Sequence, residues 1–164
     1  MEKEQHIISG KCGDDLYWRF EDETLYIEGI GRMYNVHWCS DNRDWDDVKT
    51  NIRRLIIQEG CTYISYMAFS GCRSLQSIEI PDSVTEIGED AFDGCISMML
   101  AIVPDSITTL AMRDWWREHP PQAIYVNNSE ESLQMLRERV FSNCNPQLKL
   151  KVRKTYSPRT WSCW

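Results

Sequence analysis

The sequence predicts an α/β solenoid, with short strands wound into stacked units, a hairpin closing one end, and a helix and strand closing the other. Three observations carry this expectation. The 164 residues are 42% hydrophobic and 26% charged, which suits one buried core, and no apolar run approaches the 18 or so residues of a membrane span. From Leu55 the chain repeats itself every 23 residues. Each repeat is too small to bury its own apolar face, so neighbouring repeats must bury it.

Within a repeat the pattern is readable. Leu55 and Ile57 are followed in phase by Ile78 and Ile80, Ala101 and Val103, then Ile124 and Val126. Their alternation buries one face of a short strand. Pro81-Asp82-Ser83, recurring as Pro104-Asp105-Ser106, ends the strand because proline donates no ladder hydrogen bond. A second apolar position (Ile64, Ile87, Leu110) turns back to the core. Ala68-Phe69 and Ala91-Phe92 then add one large ring per unit, and Gly71-Cys72 recurs as Gly94-Cys95. Trp115 falls in phase with the two phenylalanines and is expected in the core; Trp116 then faces outwards as a contact residue.

The run from Ile80 to Cys95 resembles the repeat of BspA-type leucine-rich repeat proteins. Residues 55–98 match it closely and 99–126 in degraded form. The segments Ser9 to Trp18 and Thr24 to Tyr34 resemble the family's N-terminal cap. The resemblance implies a short right-handed leucine-rich repeat solenoid with a concave parallel sheet. It also implies binding or adhesion roles on bacterial surfaces, and it brings no catalytic residues.

The ends read as caps. Leu16, Trp18 and Phe20 alternate with Tyr17 and Arg19, and Leu25 and Ile27 flank Tyr26, as in a β-hairpin. Gly29 and Gly31 permit a sharp exit. The acidic loop from Asp41 to Asp47 surrounds Trp45, expected to plug the core. Asn128-Ser129-Glu130-Glu131 reads as a capping box opening a helix over about 129–142, with Leu133, Leu136 and Val140 on its apolar face. Leu148, Leu150 and Val152 alternate with Lys149, Lys151 and Arg153 as a last strand on the sheet edge. One domain is expected, with a cap at 1–50, repeats at 51–126, a second cap at 127–153 and a tail at 154–164.

Charge is uneven. Residues 1–50 carry 12 acids against 6 bases, while 149–164 carry 5 bases and no acid. The net charge of −7 argues against a general nucleic-acid binder. The basic, aromatic tail suits docking on the acidic body, a protein partner or stacking on single strands. Seven cysteines, an odd number with no C-x-x-C pair, and no signal peptide in the first residues point to reduced thiols and a cytoplasmic protein; a secreted or surface location is expected if the chain is a fragment.

Signals for chemistry are thin. His6, His37 and His119 sit in no triad or zinc spacing, and His37 with Cys39 supplies only half a site. The acidic loop lacks the glycine and glutamate of a calcium-binding loop. No phosphate-cradling or nucleophile-elbow motif is present. The expectation is no enzyme, no cofactor and no metal.

The sheet face is the stronger signal. Residues flanking the buried pairs point to the concave surface, where Ile56, Leu100, Ile102 and Tyr125 would form an apolar ladder rimmed by charge. The expected partner-binding residues are Arg54, Ile56, Glu79, Leu100, Ile102, Tyr125 and Trp116. The alternative is that the tail, or a second copy in a homodimer, covers this face. The leading expectation is a non-enzymatic protein-binding module. Beside it stand a small acidic intracellular inhibitor, of phage or mobile-element origin, that blocks an enzyme or nucleoprotein, and a short paralogue of a bacterial adhesin. No membrane contact is expected, and nucleic acid only through a nucleoprotein target.

Overall fold

The computed structural model describes residues 8–35, 45–111 and 129–154, and the backbone of 123–125. It begins with three antiparallel strands, β1 (Ile8–Lys11), β2 (Asp15–Glu21) and β3 (Thr24–Arg32). Leu16, Trp18, Leu25 and Ile27 point inwards and are buried, as their alternation requires. β1 is a strand that the hairpin reading did not include.

β3 serves two sheets. Its first half pairs in parallel with β4 (Arg54–Ile57), and its last residues pair with β5 (Cys61–Ile64). The change of partner falls at Gly29 and Gly31, with φ of 112° and 110°, values that side chains rarely adopt. A Cβ on Gly29 would stand 2.1 Å from the Asp15 carbonyl oxygen.

Each following unit places one strand in each sheet. β6 (Ser77–Glu79) and β8 (Leu100–Pro104) continue the first, concave sheet beside β4. β7 (Glu86–Gly88) and β9 (Thr109–Ala111) continue the second, behind β5. The Pro-Asp-Ser turns link them. Ser83 Oγ donates to the Cys61 carbonyl at 2.7 Å, and Ser106 Oγ to the Val84 carbonyl at 2.8 Å, so each turn is tied to the one before.

The third side of each unit carries the rings. Trp45, Phe69, Phe92 and Phe141 stack along the core with centroids 5.4, 5.3 and 5.3 Å apart. Trp45 is buried and its Nε1 donates to the Ala68 carbonyl, so the aromatic plug takes the place expected for it. Backbone bonds join neighbouring turns beside the rings. Phe69 N–H donates to Ala91 O at 2.7 Å, and Phe92 N–H to Val140 O at 3.0 Å.

The fourth unit departs from the sequence reading. The ring after Phe92 is Phe141, 49 positions on rather than 23. Val140-Phe141 replaces Ala91-Phe92, Asn143 (φ 52°) replaces Gly94 (φ 68°), and Cys144 replaces Cys95. Leu150 and Val152 of β11 (Lys149–Arg153) then pair in parallel beside Ala101 and Val103. The expected last strand is therefore present on the sheet edge, and it is the fourth repeat strand itself. The segment 123–125 instead forms β10 (Ala123–Tyr125), antiparallel to β9 in the second sheet. The repeat is thus interrupted between β9 and α1 (Glu130–Arg139) and resumes at Val140. Trp115 lies outside the described residues.

Helix α1 is shorter than the expected 129–142. Ser129 caps it by accepting from Ser132 N–H, so residue 132 fills the place a capping box gives to glutamate or glutamine. Glu130 and Glu131 in the first turn and Arg137 and Arg139 in the last complement its dipole. It stops where Val140 and Phe141 must enter the stack. Leu136 and Val140 are buried, while Leu133 is half-buried.

Two expectations follow for stability. Phe69→Ala, with a ring on both sides, lowers stability by about 3–5 kcal/mol, read by denaturant unfolding. Burial pushes the Cys61 thiol from its ordinary 9.0 up to about 11. The folded state therefore holds the proton longer, and its stabilisation, complete below pH 9, is lost as pH rises towards 11, by roughly 2–3 kcal/mol at most. The wild-type Tm falls over that range by more than the Tm of Cys61→Ala.

Candidate protein-binding face

The concave sheet is wider than the repeats. Because β3 pairs with β4, the cap strands extend the same surface. One row of side chains crosses it from Arg19 to Tyr26 to Ile56, and another from Glu79 to Ile102 to Lys151. The 23-residue repeat sets Ile56 level with Glu79, which joins the two. A parallel row runs through Arg54, Ser77, Leu100 and Lys149.

The expected residues are brought together only in part. Arg54 and Glu79 are exposed, and Ile56 is 43% exposed. Leu100 and Ile102 are half-buried on the same face. Tyr125 is not beside them. It belongs to β10 in the other sheet, opposite Thr109, because the fourth place of the concave sheet is filled by β11. Trp116 lies outside the described residues. The apolar ladder is therefore two patches, Ile56 and Leu100 with Ile102, separated by Ser77 and Glu79 and bordered by lysine.

Four contributors escaped the sequence reading. Arg19 lies 3.7 Å over the Tyr26 ring and pairs with Glu21 at 2.7 Å and Glu28 at 3.1 Å. Its hydrogen bond to Glu28 raises its pKa further, so this cation is fixed at every physiological pH. Tyr17, on the same face of β2, is 49% exposed. Lys149 and Lys151 replace the expected tyrosine. The outward alternation of Tyr17 and Arg19 was the signal; what sequence did not reveal was that the cap hairpin joins this sheet.

Arg153 clamps the far side. Its guanidinium donates to Glu79, to Asp82 Oδ1 at 2.6 Å and to the Ile80 carbonyl at 2.7 Å. It thereby reaches from β11 across β8 to β6 and fixes the strand's register. The bond to Asp82, first among its contacts, raises its pKa.

The thiols line the interior rather than the face. Cys12, Cys61, Cys72, Cys95 and Cys144 are not disulfide-bonded; Cys39 and Cys163 lie outside the described residues. Cys95 donates to Phe69 O at 3.3 Å and Cys144 to Phe92 O at 3.1 Å, equivalent positions one turn apart. The contact with Cys144, and then burial, push the Cys95 thiol up, so it stays neutral. Among the described residues no group of three or more His, Cys, Asp or Glu is placed to hold a metal. His6, His37, His119 and the calcium-like segment 41–44 lie outside them. No described helix is long and apolar enough to cross a membrane.

This architecture is that of a leucine-rich repeat solenoid. The model of the BspA type leucine rich repeat region matches residues 48–157 with six copies, and the chain belongs to that family. The match runs past residue 126 and takes in β11, in keeping with the resumed fourth turn. A leucine-rich repeat protein from Eubacterium ventriosum aligns with a TM-score of 0.50 at 17% identity, over 63% of this chain and 40% of its own. A leucine rich cell surface protein from Faecalibacterium prausnitzii aligns with a TM-score of 0.42 at 20% identity, over 92% and 40%. The chain thus spans about 40% of the length of both. No curated protein matches the sequence.

Arg153→Ala removes three acceptors' partner at once. We expect a loss of about 1 kcal/mol or slightly more, because the pairs are largely exposed, and faster amide exchange in β11 than in β8. Unchanged exchange in β11 would mean that its register is held by the backbone ladder alone.

Proposed function

We propose that the protein is a non-enzymatic protein-binding module that docks a partner on its concave sheet. The observation that carries this reading is the exposed apolar surface at Ile56, with Leu100 and Ile102, set among Arg54, Glu79 and lysines. The core leaves Ile56 exposed and Leu100 and Ile102 only half-buried, and apolar patches rimmed by charge are what protein interfaces use. Rigid strands hold the patch, so a partner meets a surface already formed and little ordering cost is added on binding. Family membership supports the coarser statement, a repeat protein of a binding type.

The acidic body adds a second feature. A partner with a basic surface would be steered towards the cap and first repeats and away from β11, as an inhibitor of a basic enzyme or nucleoprotein requires.

The test is a pull-down from source-cell lysate, comparing wild type with Ile56→Asp and Ile102→Asp and reading the bound proteins by mass spectrometry. Ile56→Asp should keep the wild-type unfolding curve and lose a partner that the wild type holds. A partner retained by both variants would remove the concave face from the reading.

A further inference from the structure

β11 is the last strand of the concave sheet, and among the described residues it has a neighbour on one side only. Its ladder to β8 runs through alternate residues. Lys149 N–H donates to Met99 O, and Arg153 O accepts from Asp105 N–H. The backbone N–H and C=O groups of Leu150 and Val152 therefore point away from β8, to the open edge. An open edge is a template for one more strand.

The chemistry of that edge selects what can pair with it. Lys149 and Lys151 project from β11 onto the concave face, exposed, and neither has an ion-pair partner among the described residues. The facing side chains of an added strand would stand roughly 5 Å from them, where opposite charge stabilises and like charge destabilises. On the inward side, a cleft of about 200 Å³ separates α1 from the sheet, lined by Glu130, Leu133, Gln134, Arg137 and Leu150. Its apolar lining is Leu133, the helix residue that the core leaves half exposed, and Leu150 of β11 itself.

We propose that the outer edge of β11 captures an acidic, extended segment of a protein partner, which joins the concave sheet as its next strand. Main-chain bonds to Leu150 and Val152 hold it, its outward carboxylates face Lys149 and Lys151, and an inward side chain meets Leu133 and Leu150 at the mouth of the cleft, whose other lining residues are polar. This is strand addition, with affinity from the backbone and selectivity from alternate side chains. Charge disfavours the two internal candidates. A second copy joining β11 to β11 would set lysines against lysines, and residues 155–164 carry a base and no acid.

The probe is a fluorescein-labelled octapeptide alternating glutamate and valine, titrated against the full chain by anisotropy, with the lysine-valine peptide as control. The acidic peptide should bind at least about tenfold more tightly than the basic one and weaken with added salt. Val152→Pro removes an outward N–H while leaving the β8 ladder whole, and should lower that affinity by at least about tenfold, whereas Val152→Ala, which loses the packing of Val152 on the core but keeps the N–H, should not. The double variant Lys149→Glu with Lys151→Glu tests the charge separately and should reverse the preference between the peptides. Equal binding of both peptides, or binding untouched by Val152→Pro or by the double variant, overturns the proposal. So does concentration-dependent self-association that Val152→Pro abolishes, which would give the edge to a second copy, or a tighter acidic complex on removal of residues 155–164, which would give it to the chain's own tail.

Discussion

The stacking of one turn on the next is the constraint on which this molecule rests. A unit of 23 residues offers two short strands and one large ring, and none of these is buried unless another unit lies against it. The column from Trp45 through Phe69 and Phe92 to Phe141 makes the dependence visible. Each ring stacks on the ring of a neighbouring turn, and beside Phe69 and Phe92 a backbone hydrogen bond crosses the same boundary. The order is nearly one-dimensional, so stability is a sum of nearest-neighbour interfaces and the two ends need special treatment. At one end a tryptophan and three antiparallel strands supply the missing neighbour. At the other the helix α1 does so, with Leu136 buried against the last turn.

This constraint also explains what was readable from sequence and what was not. Leu55, Ile78 and Ala101 stand in phase because a parallel ladder with a fixed turn demands it. Their burial, the Pro-Asp-Ser turns and the plug at Trp45 were all legible for that reason. The fourth turn was not, because counting in 23s reaches Ile124 and Tyr125, whereas the stack needs only a ring, a left-handed residue, a cysteine and a strand. Val140, Phe141, Asn143, Cys144, Leu150 and Val152 meet those needs in the same relative spacing as Ala91, Phe92, Gly94, Cys95, Ala101 and Val103. The signal was present, with the interval stretched from 23 to 49. Asparagine was the disguise, since it tolerates the positive φ that glycine adopts in the two earlier turns.

The same shift reorganises the candidate site. Replacing Tyr125 by Lys149 and Lys151 changes the far half of the concave sheet from apolar to basic, while joining β3 to β4 adds Tyr17, Arg19 and Tyr26 at the near half. The face becomes graded, with aromatic and acidic groups at the cap, aliphatic groups in the middle and cations at the last strand. Outward residues of a solenoid carry no packing duty, so their identities are free to answer to a partner. That freedom is also why periodicity locates the face and cannot by itself say what binds there.

The central claim, that the chain leaves its repeat after β9 and resumes it at Val140, is tested most directly by double-mutant cycles on the ring column. Phe92→Leu and Phe141→Leu should couple by about 0.5–1.5 kcal/mol, as stacked rings do, while Phe92→Leu and Trp115→Leu should be additive, because both faces of Phe92 are already occupied. Coupling of Phe92 to Trp115, with none to Phe141, would contradict the account and restore an uninterrupted 23-residue period.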